Sequence, residues 1–119
     1  MPRKSGGVSR HNKLVRDGIP ARILRGGEIS RCKTLAAREK KYYLVAKLVE
    51  EAKEAQEAFS RKNTKKDFLL EIADAVEVID ELLRMHKVSW NKLRAMQTRK
   101  RRLAGGFKGG TFLVSTRRP

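Results

Sequence analysis

From about Leu35 to Phe59 the apolar residues recur at intervals of three and four. Leu44, Val45, Leu48, Val49, Ala52, Ala55 and Phe59 share one side of a helical wheel, so the spacing predicts a long amphipathic helix. The polar run SRKNTKK breaks that pattern. Thr64 then stands where an N-cap belongs, and Asp67 follows three residues later, where it can close a capping box. The helix that starts there is expected to run to about Met85. It is apolar almost all round, through Leu69, Leu70, Ile72, Ala73, Ala75, Val76, Val78, Ile79, Leu82 and Leu83. One neighbouring helix cannot cover so wide an apolar surface, so the pattern predicts a bundle or a dimer. A further helix is expected over Trp90 to Leu103, capped by Ser89 and ended at Gly105-Gly106. Upstream, Pro20 suits the first turn of a short helix that Gly26-Gly27 would close. TFLVS near the end has the composition of one short strand.

The expected fold class is therefore all-α, a helical bundle with a possible short C-terminal strand. Its organisation is a flexible basic tail over residues 1–10 followed by one domain over 11–119. No apolar run approaches the roughly 20 residues that span a bilayer, so no membrane-spanning helix is expected. The start MPRKSGGVSRH lacks an apolar stretch behind its charges and does not read as a secretory signal. A single cysteine, Cys32, excludes an internal disulfide and suits a reducing cytoplasm.

Charge divides the chain in two. The formal net charge is +16, yet ten of the 13 acidic residues fall between Glu50 and Glu81. That window holds only five bases and carries −5, while the remaining 87 residues carry +21. Residues three apart on a helix face the same way, one turn along, about 4.5 Å by rise. Glu51 and Glu54 form such a pair on the first long helix, and Glu71 and Asp74 form another on the second. With 16 residues between Glu54 and Glu71, antiparallel packing would let the pairs meet. Four carboxylates converging in an apolar wall repel one another and are costly to desolvate. A hard divalent cation such as Mg²⁺, which prefers oxygen ligands, relieves both. With only His11, His86 and Cys32 available, zinc of the usual nitrogen and sulfur ligation is not expected. Glu57, Asp80 and Glu81 read as solvated helix surface.

E-x-x-E, 16 residues, then E-x-x-D on two such helices resembles the metal motif of the MazG-like all-α NTP pyrophosphatases. NKLVRDGIP, KLVEEAKEAQEA, LLEIADAVEVIDELL and the later GGF resemble the phosphoribosyl-ATP pyrophosphohydrolase-like branch, over about Asn12 to Leu113. The resemblance implies a helical bundle, commonly a dimer or higher homo-oligomer, with Glu51, Glu54, Glu71 and Asp74 as Mg²⁺ ligands. It implies hydrolysis of a nucleoside triphosphate to monophosphate and pyrophosphate, as in the removal of non-standard nucleotides. Metal there would neutralise phosphate charge and lower the pKa of a coordinated water. Glu51 or Glu50 could take the proton. Lys13, Arg16 and Lys100 are the candidate phosphate-binding cations. GGFKGG lacks the spacing of a P-loop.

Lys100 apart, the basic ends and the Arg99–Arg102 run are not explained by a nucleotide pocket. They predict weak, salt-sensitive, sequence-independent nucleic-acid binding. The alternative reading makes that binding the whole function: a non-catalytic basic helical module.

Overall fold

The computed structural model describes residues 7–61 and 64–119 and is all-α. Four helices follow in order: α1 (Ile19–Arg25), α2 (Ala37–Ser60), α3 (Lys65–Met85) and α4 (Trp90–Ala104). Arg3 and Lys4 of the expected tail, and Lys62 and Asn63 of the expected turn, lie outside the described residues.

Local chemistry sets the boundaries. Pro20 sits in the first turn of α1, and the chain leaves that helix through Gly26 and Gly27, the latter at φ +88°. That left-handed value favours glycine. Thr64 caps α3 as a full capping box: its hydroxyl accepts from the Asp67 backbone N–H, and the Asp67 carboxylate accepts from the Thr64 backbone N–H. The Ser89 hydroxyl accepts from the Lys92 backbone N–H at the start of α4. Gly105, at φ +81°, ends that helix.

The principal packing is α2 against α3, an antiparallel hairpin. Phe59, at the end of α2, meets Phe68, at the start of α3, edge-on with ring centroids 5.9 Å apart. At the far end, Lys40 of α2 reaches Glu81 of α3 at 2.5 Å. The seam between them holds the buried residues Leu44, Ala55, Ala58 and Val78, together with one charged residue, Glu51. α4 is held at its first turn, where the Trp90 indole N–H donates to Asp80. Residues 111–115 form no strand, and no strand occurs among the described residues. A strand needs a neighbour to take its backbone hydrogen bonds, and the helices offer none.

The chain is elongated, 66 × 38 × 31 Å, with a radius of gyration of 19.6 Å. A compact chain of this length would have roughly 13.5 Å. Consequently Leu69, Leu70, Ile72 and Val76 of α3 remain 40–55% exposed. Among the described residues no helix is long and apolar enough to cross a membrane.

Glu81 ties the open end of the hairpin. Hydrogen bonds from Arg84 and Lys40 hold its carboxyl at about 2, against an ordinary value of 4.5. A lowered carboxyl binds its proton less readily in the folded chain, so its stabilisation is complete above pH 4.5 and fades as pH falls toward 2. Glu81→Gln is expected to cost roughly 1 kcal/mol at neutral pH, the scale of a partly exposed ion pair. It should also flatten the acid limb of stability. Urea melts from pH 6 to pH 2 measure both, and equal acid sensitivity in the variant would reject the assignment.

Candidate metal centre

Glu51 and Glu54 lie one turn apart on α2, and Glu71 and Asp74 lie one turn apart on α3. The antiparallel seam brings the two pairs together. One carboxylate oxygen from each of Glu51, Glu71 and Asp74 lies within 4.8 Å of the others. Glu54 stands beside Glu51 and Glu71, close enough to share a hydrogen bond with either if one of them carried a proton. When all are ionised no such proton exists. Glu51 Oε2 and Glu71 Oε2 are then sealed from solvent with no hydrogen-bond donor among the described residues.

Such orphaned buried oxygens are unusual, because each forfeits its hydration without compensation. Glu51 is the sharper case, only 6% exposed. Burial pushes its carboxyl above the ordinary range, the Glu54 and Asp74 charges push the same way, and Lys47 opposes them. The Glu71 carboxyl is raised likewise, by burial first and then by Glu54 and Asp74.

Three bases frame the acids. From the segment before α1, Lys13 Nζ contacts Glu50 at 3.1 Å and Arg16 Nη2 contacts Asp74 at 2.7 Å. On α2, Lys47 Nζ lies 3.3 Å from Glu50 and 3.6 Å from Glu51, bridging the two. Burial raises the Glu50 carboxyl, but Lys13 and Lys47 outweigh it and leave the group below its ordinary value. Five carboxylates against three bases leave a formal −2, which one divalent cation would neutralise. Carboxylate oxygens on two facing helices are hard donors, so this acidic cluster could hold a metal ion.

Of the residues singled out in the sequence, Glu50, Glu51, Glu54, Glu71, Asp74, Lys13 and Arg16 gather here. Lys100 does not. It lies near the end of α4, which is anchored through Trp90, and among the described residues it pairs with none of these acids. Lys47 joins them, although the sequence analysis did not single it out. Its spacing of three and four from Glu50 and Glu51 already carried the signal. Glu57, Asp80 and Glu81 engage Arg61, Trp90, and Lys40 with Arg84 instead.

The raised Glu51 and Glu71 carboxyls give the seam a pH dependence opposite in sign to that of Glu81. Their contribution is in place below pH 4.5 and is lost as pH rises through the raised values. A bound cation would replace the protons. Mg²⁺ or Mn²⁺ at a hundredfold excess over Kd is therefore expected to stabilise the chain by about 2.7 kcal/mol at pH 7, and much less near pH 4. Glu71→Gln should stabilise the metal-free chain slightly and remove most of the metal effect. Arg16→Ala, which frees Asp74, should tighten metal binding up to about fivefold. Thermal melts with and without metal, beside calorimetric titration, test all three. Metal stabilisation equal at both pH values, or intact in Glu71→Gln, would count against the site.

No family model matches this chain, and no curated protein and no solved structure matches it either.

Proposed function

We propose that the protein is a Mg²⁺-dependent nucleoside triphosphate pyrophosphohydrolase of the MazG-like all-α kind, acting in the cytoplasm on non-standard nucleotides. The single observation that carries this reading is the buried Glu51 carboxylate, whose Oε2 has no hydrogen-bond partner among the described residues, converging with Glu71 and Asp74 between two helices. A binding module has no use for so costly an arrangement. Glu51, Glu54, Glu71 and Asp74 would hold the metal, and their all-oxygen character favours Mg²⁺ over zinc. When bound, Mg²⁺ supplies neutralisation of the phosphate charge.

The chain's own groups divide the remaining work. Arg16 presents a guanidinium fork suited to a phosphate, with Lys13 and Lys47 as point charges behind it. Between the two candidate proton acceptors, Glu51 is the better placed. Burial and its acidic neighbours raise its proton affinity, whereas Lys13 and Lys47 hold Glu50 ionised and occupied. Glu50 then serves to position the lysines.

A pyrophosphate-release screen over standard and modified triphosphates, with and without Mg²⁺, tests the reading. Activity is expected only with metal, and Glu71→Gln is expected to lower it at least a hundredfold while leaving helical content unchanged. The nucleic-acid reading has its own support, since Arg99, Lys100, Arg101 and Arg102 lie exposed on α4. Tight nucleic-acid binding that survives high salt, with no triphosphate hydrolysed, would decide for that alternative.

The same proposal includes self-association. The uncovered Leu69, Leu70, Ile72 and Val76 side chains on α3 support it. Light scattering at micromolar concentration is expected to give a dimer or a higher homo-oligomer. Ile72→Glu should shift the mass toward monomer, and a well-folded wild-type monomer would refute this part.

A further inference from the structure

Beside the acids lies a cleft of about 240 Å³, between the segment preceding α1 and the outer face of α2. Asn12, Lys13, Tyr42, Tyr43, Lys47 and Glu50 are among the residues that line it. We propose that this cleft takes the nucleoside end of the triphosphate, with the base against the tyrosines and the Asn12 amide at its edge. The inference rests on the hydrolase reading above and adds a requirement that the metal centre alone does not impose: the ligand must carry a base.

Four features of the cleft support it. It adjoins the metal centre through Lys47, which lines it and touches both Glu50 in its wall and Glu51 in the acid cluster. Tyr43, Lys47 and Glu50 follow one another at four and three residues along α2, so the cleft runs about 10 Å along the helix axis. Aromatic rings mark one end of that line, and the other holds Lys47 and Lys13, both paired with Glu50. Tyr42 and Tyr43 meet edge-on with centroids 5.3 Å apart, and Tyr42 is 71% exposed. A ring so exposed offers a stacking surface to any base. Asn12, at φ +48°, holds the left-handed conformation that asparagine tolerates better than most residues. Its amide offers one donor group and one acceptor, the pairing that a base edge requires.

Size is in keeping with this division. The cleft is below the range of sites that enclose a whole drug-sized ligand, about 300 Å³ and upward. It suits a nucleoside whose phosphates lie outside, along Lys13 and Lys47. A larger depression of about 440 Å³ shares Tyr42 and Ala46 but is lined otherwise by Lys41, Val45, Leu82 and His86. None of the charged residues of the metal centre borders it, so it offers the phosphates no cation from that centre.

Calorimetric titration of the full chain in Mg²⁺ would compare inorganic tripolyphosphate with the α,β-methylene analogues of the standard and modified triphosphates of the pyrophosphate-release screen, which resist cleavage at that bond. At least one analogue is expected to bind about tenfold more tightly than tripolyphosphate, the scale of one base–aromatic stack. Tyr42→Ala and Asn12→Ala should each cut that advantage severalfold without changing tripolyphosphate affinity. Both replace exposed side chains, and circular dichroism checks that the helices persist. If no analogue exceeds tripolyphosphate, the cleft proposal is overturned while the hydrolase reading stands. An advantage that survives both variants, or a variant that weakens tripolyphosphate equally, overturns it as well. If neither ligand class binds, both readings fall together.

Discussion

The hairpin is organised around an unfavourable interaction. Four carboxylates meet in the seam of α2 and α3, and one of them, Glu51, is almost wholly removed from water. Repulsion and desolvation both oppose this, and apolar contacts must hold the helices together against it. Those contacts are few: Leu44, Ala55, Ala58 and Val78. A core so small would be better served by another aliphatic residue at position 51. The acid is therefore difficult to explain as a stabilising element and easy to explain as a ligand. The flanking chain fits that explanation. Lys13, Arg16 and Lys47 each contact an acid at or beside the seam. They relieve part of the charge.

Arg16 has a particular position in this balance. Its guanidinium sits on Asp74, so a cation arriving at the acids competes with it for one ligand. On the proposed function, a displaced Arg16 would offer the same fork to the phosphates of a substrate. Occupancy by metal and readiness for an anion would then be coupled by a single side chain.

Much of this was legible in the sequence, for identifiable reasons. Thr64 with Asp67, Ser89, Gly27 and Gly105 each encode a helix end by local chemistry, and local chemistry can be read without knowing the fold. The acidic pairs were legible because a spacing of three fixes a shared helix face whatever the tertiary structure. The ion pairs of Lys13 and Arg16 were not, since they join residues 37 and 58 positions apart and no periodicity connects them. Lys100 pairs with none of these acids among the described residues, and charge together with proximity in sequence to a helix end does not say which way that helix runs. TFLVS had strand composition, but a strand also needs a partner, and composition does not supply one.

The turn between α2 and α3 also acts as a ruler. Only four residues, 61–64, separate the two helices. The Thr64 capping box and the Phe59–Phe68 contact fix where the second helix starts against the first. Slip that register by one turn, about 5.4 Å, and Glu54 would no longer face Glu71. A chain could thus retain every acid of the motif and still lose the site if its two helices packed three or four residues out of register. Spacing between the pairs, more than their presence, is what a genome-scale search for such centres should weigh.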